Sequence, residues 1–284
     1  MCCDLHTHTT ASDGSDTPSE LVQLAKKKGL SALAVTDHDT LDGLPKALKK
    51  GYELDLRVIP GVELSVVPPQ GNMHVLGYYI DLESQELHKV LKMVQEARAQ
   101  RNPKILKRLS ELGYPLSMDE LDEIANGGQI GRPHIARAMV AKGYVKSVSQ
   151  AFEKFLKKDA PAYVPKSILL PEQAVKAIHQ AGGVAVLAHP ISLDFKTYAR
   201  LEELVDTFVN EGFDGIECYY SEHSQELTNF CIDLCKKYDL LITGGSDYHG
   251  RAKPHISLGS GRGNLCVPDW CAEELEARVK MMRD

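Results

Sequence analysis

The strongest constraint on the fold is the regular order in which short apolar runs and amphipathic stretches follow one another. In the first part of the chain, the runs SALAVTDHDT, RVIPGVELSV and MHVLGYYI have the length and composition of buried strands. The runs GGVAVLAHP, FDGIECYY and DLLITGGSDYHG resume this pattern in the second half. Repeated strand–helix order predicts an α/β fold with a parallel sheet and helical crossovers. With the N-terminal strand there are seven such runs, which approaches a (β/α) barrel in length and order.

The stretches between these runs are predicted to be helical. The first of them, TPSELVQLAKKKGL, contains a capping box formed by Thr17 and Glu20, with Pro18 at the first helical position. Gly29 is expected to end this helix. In the second half of the chain the same reasoning predicts helices over residues 171–181, 198–211 and 224–238.

The strand pattern stops between residue 82 and about residue 158, where helices joined by glycine-containing turns are predicted. The stretch ELHKVLKMVQEARAQRNPKILKRLSELGY is helical in pattern, with a break predicted near Pro103. Its basic residues occupy one helical face, which is typical of a solvated face. Shorter helices are predicted in SMDELDEIA, RPHIARAMVAKGY and SVSQAFEKFL. We therefore expect a helical insertion domain at residues 98–166, acting as a substrate cap, in an α/β body formed by residues 1–97 and 167–284.

The charge distribution separates the same two parts. Residues 98–166 carry thirteen Lys and Arg against seven Asp and Glu, a formal charge of +6. The rest of the chain then carries −12, since the net charge is −6. An acidic body suits metal cations and a basic insertion suits an anionic substrate, although solvated helix faces produce the same split.

The composition is that of an ordinary soluble globular protein, with 43% hydrophobic and 25% charged residues. No apolar run approaches the ~20 residues of a membrane span, and the N-terminus lacks the pattern of a signal peptide. A membrane partner is therefore not expected. The seven cysteines form no CxxC pair, so we expect reduced thiols in a cytoplasmic protein.

Histidine or acidic residues accompany each predicted strand. His6 and His8 alternate on the first strand and so point to one face, with Asp13 in the loop that follows. Because the carboxyl ends of barrel strands meet at one face, these side chains are expected to converge. The complete set is His6, His8, Asp13, His38, Glu63, His74, His189, Asp247 and His249.

Nine ionisable groups in one pocket require a compensating cation. Imidazoles and carboxylates without cysteine suit Mn²⁺, Fe²⁺ or Zn²⁺, and they argue against a purely structural zinc site. Nine ligands, with one carboxylate bridging, fit two or three metals.

The motifs DLHTHTTASDG, AVTDHDT, PGVELS, HVLGYY, LAHP and GSDYHG occur in this order along nearly the whole chain. They resemble the successive motifs of the PHP (polymerase and histidinol phosphatase) family. With the helical insertion, the sequence is most similar to the branch of stand-alone phosphoesterases that act on nucleoside 3′,5′-bisphosphates and short oligonucleotides. The resemblance implies a distorted seven-stranded (β/α) barrel with a trinuclear metal site.

The resemblance also implies a division of the ligands into three groups: His6, His8, Glu63 and Asp247 for one metal; Glu63, His74 and His189 for a second; Asp13, His38 and His249 for a third. The residues of the first two groups are the expected catalytic residues. Asp37 and Asp39 should point away from the site, and Asp37 suits either the orientation of a ligand or the capping of a helix.

Closely spaced divalent ions suit the hydrolysis of phosphate esters. They lower the pKa of a bound water, which supplies hydroxide near neutral pH, and they hold the phosphoryl oxygens. Substrate binding is assigned to the insertion, where Arg132 lies near a helix start and the family pattern supports it as a phosphate contact. A solvent-facing position fits His134 and Arg137 about equally well, and Lys166 and His223 are weaker candidates.

These observations predict a metal-dependent phosphoesterase that hydrolyses phosphate monoesters of small nucleotides or of short 5′-phosphorylated oligonucleotides. A histidinol-phosphate, cyclic-phosphate or sugar-phosphate phosphatase is an alternative, and so is a noncatalytic metal-binding regulatory protein. The complete set of nine ligands argues against the noncatalytic alternative. The acidic net charge argues against duplex nucleic acid as a partner.

Overall fold

The computed structural model of the chain describes residues 1–125, 127–165 and 169–283 and has the mixed α/β architecture expected from the sequence. The strands are β1 (Cys2–Cys3), β2 (Ala32–Val35), β3 (Arg57–Ser65), β4 (His74–Tyr78), β5 (Val184–Leu187), β6 (Gly215–Tyr220), β7 (Leu241–Gly245) and β8 (Val267–Pro268). The helices are α1 (Pro18–Lys27), α2 (Leu44–Leu54), α3 (Gln85–Glu111), α4 (Met118–Ala125), α5 (Arg132–Ala141), α6 (Val148–Ala151), α7 (Pro171–Gln180), α8 (Tyr198–Asn210), α9 (Gln225–Tyr238) and α10 (Trp270–Arg283).

Strands β2 to β7 form one curled sheet in sequence order. β2 is parallel to β3, and β5, β6 and β7 are parallel to one another, as the strand–helix pattern predicts. β4 is antiparallel to both of its neighbours, so the expectation of a parallel sheet is wrong at this strand. The reason is the short connection from β3 to β4, residues 66–73, which is long enough for a hairpin but not for a crossover helix.

The reversal of β4 determines how His74 reaches the site. His74 is the first residue of β4, and it pairs with Ser65 at the carboxyl end of β3. Because β4 is antiparallel, its amino end lies at the edge of the sheet where the parallel strands have their carboxyl ends. His74 therefore joins the other site residues from the opposite end of its strand.

The N-terminal segment lies between the two outer strands of this sheet. The Ala34 amide in β2 donates to the carbonyl of Asp4 (2.9 Å), and the Leu5 amide donates to the carbonyl of Gly244 in β7 (3.1 Å). Beyond the carboxyl end of β7, the Asp247 amide donates to the carbonyl of His6 (2.9 Å). The segment that carries His6 and His8 is thus held on both sides by backbone hydrogen bonds.

Most of the predicted helices are present, with ends close to those expected. α1 begins at Pro18, and Thr17 and Glu20 form the predicted capping box: the Glu20 amide donates to Thr17 Oγ1, and the Thr17 amide donates to the Glu20 carboxylate. Gly29 follows α1 with a φ of +72°, as expected of a glycine that ends a helix. The sequence pattern did not predict α2, α10 or β8.

Helix α3 is continuous, so the predicted break at Pro103 is wrong. A proline inside a helix removes one backbone hydrogen bond, but packing on both sides compensates. Leu91, near the start of α3, belongs to the main hydrophobic core of the sheet and its helices. Ile105 and Leu109, beyond the proline, belong to a separate core shared with α4 and α5. One helix therefore connects the body of the protein to the helices that follow.

A disulfide between Cys2 and Cys266 corrects the expectation that all cysteines are reduced. The two residues lie 264 positions apart in sequence, so no local spacing motif reveals the pair. They meet because β1 pairs with β8, where Cys3 is opposite Val267. The remaining five cysteines are buried as free thiols.

Among the described residues, no helix combines the length and the apolar character that crossing a membrane would require.

Candidate metal centre

The nine residues selected from the sequence converge at one edge of the sheet. Their ligand atoms form four overlapping groups, and within each group these atoms lie within 4.8 Å of one another. The groups are His8, Asp13, His38 and His249; His6, His8 and Asp247; His6, Glu63 and His189; and His38, Glu63 and His74. These groups share more members than the three-way division implied by the resemblance, because His6, His8 and His38 each lie in two of them, as Glu63 does.

Glu63 lies at the centre of the cluster. Its Oε2 atom is 3.1 Å from Nε2 of His6 and 3.1 Å from Nε2 of His8. Its Oε1 atom is 2.7 Å from Nδ1 of His74 and 2.9 Å from Nε2 of His189. The carboxylate is 1% exposed. One buried carboxylate thus faces histidines on two sides, which is the position that a bridging ligand requires.

Hydrogen bonds behind the cluster determine which ring nitrogen of three histidines faces it. His6 Nδ1 donates to Glu217 Oε1 (2.9 Å), and His189 Nδ1 donates to Ser192 Oγ (2.8 Å), whose own hydrogen is donated to a backbone carbonyl. His249 Nδ1 donates to the backbone carbonyl two residues earlier (2.8 Å). With the proton on Nδ1, the lone pair of Nε2 is directed into the cluster, as metal ligation requires.

Glu217 is a site residue that the sequence reasoning missed. It lies within β6, is fully buried, and accepts a second hydrogen bond from the backbone amide of His189 (2.7 Å). The same carboxylate therefore orients two of the clustered histidines, His6 and His189. An acidic residue in the middle of the apolar run FDGIECYY is the signal that could have identified it.

Asp247 presents one carboxylate oxygen to the cluster and the other to a tyrosine and a lysine. Oδ1 lies 3.3 Å from Nε2 of His8, whereas Oδ2 accepts from the hydroxyl of Tyr220 (2.9 Å) and the ammonium of Lys253 (2.6 Å). The backbone φ of Asp247 is +56°, which is uncommon for a residue other than glycine. Such strain is typical of residues whose position serves a site. Neither Tyr220 nor Lys253 was selected from the sequence.

Asp37 holds the loop that carries Asp13. Its carboxylate accepts hydrogen bonds from the Thr9 amide (2.8 Å), the Thr9 hydroxyl (2.6 Å) and the Ser12 hydroxyl (2.5 Å). In these contacts it caps no helix, so of the two roles considered for it the orientation of a ligand fits better, through the loop of Asp13. It acts one step further back, on the loop itself.

Burial and mutual attraction shift the pKa values of the cluster in opposite directions. Burial alone would lower the pKa of His6, but Glu217, Glu63 and Asp247 outweigh it and hold that pKa well above its ordinary value. Burial would likewise raise the pKa of Glu63, but the surrounding histidines, His38 first among them, hold it well below its ordinary value. The Glu63 carboxylate therefore stays ionised, and a proton competes for the imidazole of His6.

Several buried atoms of the cluster form no hydrogen bond of suitable geometry among the described residues, although some of them lie 3.1 Å from one another. They are Nε2 of His6, both ring nitrogens of His8, Oδ1 of Asp13, Nδ1 of His38 and Oε2 of Glu63. Leaving so many polar atoms unsatisfied is costly unless another group binds them. Imidazole nitrogens and carboxylate oxygens in this number fit divalent transition metals. The residues present therefore fit the metals that the sequence implies.

A cavity of about 320 Å³ opens onto the cluster. One side is lined by His38, His74 and His189, and another by three arginines of α3 and α5, Arg98, Arg101 and Arg132.

Arg101 is only 7% exposed, and its Nε atom has no hydrogen-bond partner among the described residues. Burial and the neighbouring Arg98 and Arg132 lower its pKa to about 9, so it remains charged at neutral pH. Arg98 is held by the carboxylate of Asp39.

The expectation that the basic residues of α3 form a solvated face is thus wrong at Arg98 and Arg101. Val94, Arg98, Arg101 and Ile105 follow helical spacing, so the arginines continue the apolar stripe.

Comparison with known proteins identifies the family that shares this arrangement. The family model described as the PHP domain matches residues 4–210. The chain belongs to the PHP family. The 5′-3′ exoribonuclease Rnm of Salmonella typhimurium is 36% identical over 258 residues, which cover 90% of this chain and 87% of that protein. The 3′,5′-nucleoside bisphosphate phosphatase of Chromobacterium violaceum is 32% identical over 280 residues, which cover 97% of each.

A solved structure shows the same PHP fold. A protein of Bifidobacterium adolescentis, assigned as a metal-dependent phosphoesterase, superimposes with a TM-score of 0.87 at 30% identity, covering 97% of this chain and 96% of that one. The family and these relatives confirm the predicted enzyme class, a metal-dependent phosphoric ester hydrolase.

The PHP structure places the predicted substrate-binding residues in different surroundings. Arg132 lines the cavity at the cluster, and Arg137 lines a second, adjoining cavity. His134 is buried, and its Nδ1 accepts from the Gly131 amide (3.1 Å), so it caps α5. His223 is also buried, with Nδ1 donating to a backbone carbonyl (3.0 Å). Lys166 lies outside the described residues.

Proposed function

We propose that this PHP protein hydrolyses phosphate esters of small nucleotides, such as nucleoside 3′,5′-bisphosphates, or of short 5′-phosphorylated oligonucleotides. The observation that carries this proposal is the group of three arginines that lines the same cavity as the nine-residue cluster. The cluster suits the phosphate that reacts, and guanidinium groups suit a second phosphate on the same molecule. The two curated relatives, an exoribonuclease and a nucleoside bisphosphate phosphatase, support the same class of substrate.

A second phosphate distinguishes this proposal from a histidinol-phosphate or sugar-phosphate phosphatase. A substrate with a single phosphate would occupy the cluster and leave Arg101 buried without an anion. An uncompensated buried charge is costly, whereas a phosphate at hydrogen-bond distance would offset it. The charge on the cavity wall thus favours substrates that carry two phosphates.

We propose further that two or three divalent metals, Mn²⁺, Fe²⁺ or Zn²⁺, are held by His6, His8, Asp13, His38, Glu63, His74, His189, Asp247 and His249. When bound, such ions lower the pKa of a water and neutralise charge on the phosphoryl oxygens. The protein positions its own ligands for this role: Glu217 orients two histidines, and Asp37 holds the loop of Asp13.

Three cationic residues complete the proposed site. Arg101 and Arg132 would hold the second phosphate. Lys253, which lines the same cavity and lies 2.6 Å from Asp247, places an ammonium group next to the reacting phosphate. We propose that residues 98–166 act as the cap that supplies the arginines. The rest of the chain would form the distorted (β/α)7 barrel, with the N-terminal segment as its seventh strand.

The experiment that tests this function is a product assay with the Mn²⁺-loaded protein. Adenosine 3′,5′-bisphosphate, AMP, histidinol phosphate and a short 5′-phosphorylated RNA are compared, with released phosphate and mononucleotides both measured. We expect clear preference for the bisphosphate or the RNA. Turnover of histidinol phosphate alone would refute the proposal. In the same assay, His74→Ala and Asp247→Asn should abolish turnover while circular dichroism shows a folded protein.

A further inference from the structure

A second cavity of about 580 Å³ adjoins the cluster on the side of Asp247. It shares Val148, Tyr220, Ala252 and Lys253 with the first cavity, so the two spaces meet along one wall. The first cavity is lined by His38, His74 and His189, and the second is lined by Asp247. The candidate metal centre therefore lies between two spaces rather than at the closed end of one.

The wall of the second cavity contains Arg137, whose guanidinium group has buried nitrogens without a hydrogen bond among the described residues. Nε and Nη2 of Arg137 are buried and have no hydrogen-bond partner among the described residues. The two acidic residues of this wall have other partners: Glu222 is paired with Arg262, and Asp247 accepts from Tyr220 and Lys253. Buried guanidinium nitrogens are normally hydrogen-bonded, and phosphate oxygens are suitable acceptors for them.

The remaining lining suits a sugar–phosphate chain. Ser147, Ser149 and Ser221 supply hydroxyl groups, and Arg251 and Lys253 add positive charge. Each cavity lies within the roughly 300–1,000 Å³ range of small-molecule sites, and the first is at the lower end of that range. The first cavity alone thus suits one nucleotide, and a longer strand needs the second.

We propose that the second cavity binds a further nucleotide of a single-stranded oligonucleotide, with a phosphate of that nucleotide on Arg137. The strand would cross the metal centre, with one flank in the arginine-lined cavity and the other in this one. Basic grooves of this kind hold single strands through their phosphates without regard to sequence. The inference rests on the proposed phosphoesterase function and adds to it a preference for a chain over a single nucleotide.

The test compares kcat/KM for adenosine 3′,5′-bisphosphate with kcat/KM for a 5′-phosphorylated triadenylate. Arg137→Ala removes the phosphate contact, and Ser149→Trp blocks the cavity from an exposed position while keeping the arginine. Lys154→Ala is the matched control, because Lys154 is exposed on the same part of the chain and lines neither cavity. For both cavity variants we expect a loss on the trinucleotide at least tenfold larger than the loss on the bisphosphate, the size typical of one charge-assisted hydrogen bond.

Equal losses on the two substrates, or an unchanged trinucleotide rate in both variants, would overturn the inference. A second readout separates this failure from that of the proposed function: fluorescence anisotropy of labelled triadenylate with the metal-free protein. A selective loss of affinity in Arg137→Ala and Ser149→Trp supports the second cavity even if no substrate in the panel is hydrolysed. Unchanged affinity in both variants overturns it whatever the turnover of the wild type.

Discussion

Replacing Glu217 by glutamine should weaken metal binding without changing a ligand. In the structure this carboxylate accepts two hydrogen bonds, from Nδ1 of His6 (2.9 Å) and from the amide of His189 (2.7 Å). Glutamine has almost the same shape but keeps one acceptor oxygen, so its NH₂ group must face one of two N–H donors. One buried donor is then unsatisfied, at a cost of about 1–3 kcal/mol. If the unsatisfied donor disturbs the orientation of His6 or His189, metal affinity drops by about 10- to 100-fold.

The assay is competition for Mn²⁺ or Zn²⁺ against a chromogenic chelator at pH 8, with phosphate release measured in parallel. Glu203→Gln is the matched control, since Glu203 is exposed on α8 and pairs only with Arg200 among the described residues. A lower melting temperature of the metal-free protein with unchanged metal affinity would show that Glu217 is structural and would refute the reasoning.

The pH dependence of the same variant gives an independent check. The carboxylate of Glu217 helps to hold the pKa of His6 well above its ordinary value, so the proton competes with metal for this residue. Removing that carboxylate lowers the pKa of His6 and weakens the competing proton. The loss of metal affinity should therefore be smaller at pH 6 than at pH 8. A larger loss at pH 6 would contradict this assignment.

Three further predictions follow from single contacts. Arg132→Ala should raise KM by about tenfold with little change in kcat, because one charge-assisted contact to the substrate is removed. An unchanged KM would place the second phosphate elsewhere. Burial lowers the pKa of His134 to about 4, so the folded state resists protonation and its stability falls as the pH drops from about 6.5 to 4. In urea unfolding, the free energy of unfolding of His134→Gln should fall less over this pH range than that of the wild type, by up to about 3 kcal/mol. An equal fall in the variant would exclude His134 as the source. Cys2→Ala should lower the free energy of unfolding by up to about 5 kcal/mol, because the disulfide to Cys266 joins residues that are 264 positions apart. Equal unfolding midpoints of the variant and the wild type would show that the bond is absent in solution.

The residues of the candidate metal centre could be selected from the sequence because strand ends and chemistry coincide there. His6 and His8 alternate along the N-terminal segment just beyond β1, Glu63 lies near the carboxyl end of β3, and Asp247 follows β7, so local pattern brings them to one edge although β1 itself is shorter than predicted. Glu217 has the same chemistry but lies inside its strand, and only the three-dimensional contact with His6 gives it a role. Lys253 follows the last motif in an irregular stretch without periodicity, so no pattern relates it to Asp247.

Two features of the fold depended on interactions that local pattern does not contain. The direction of β4 is set by the length of the connection from β3, whereas its apolar composition is the same for either direction. The continuity of α3 across Pro103 depends on two separate cores that hold the two ends of the helix. Arg101 lies on this helix and is buried, although its charge suggested a solvent-exposed position.

Because α3 is one helix packed at both ends, its length sets the position of Arg98 and Arg101 relative to the cluster. Each residue of an α-helix advances about 1.5 Å and turns about 100°. One residue inserted between Val94 and Arg98 would turn both arginines away from the cavity, whereas substitutions on the outer face of α3 would leave them in place. Along this helix the protein can therefore change in sequence far more freely than in length, and natural variation in the size of the insertion is expected in the turns beyond it.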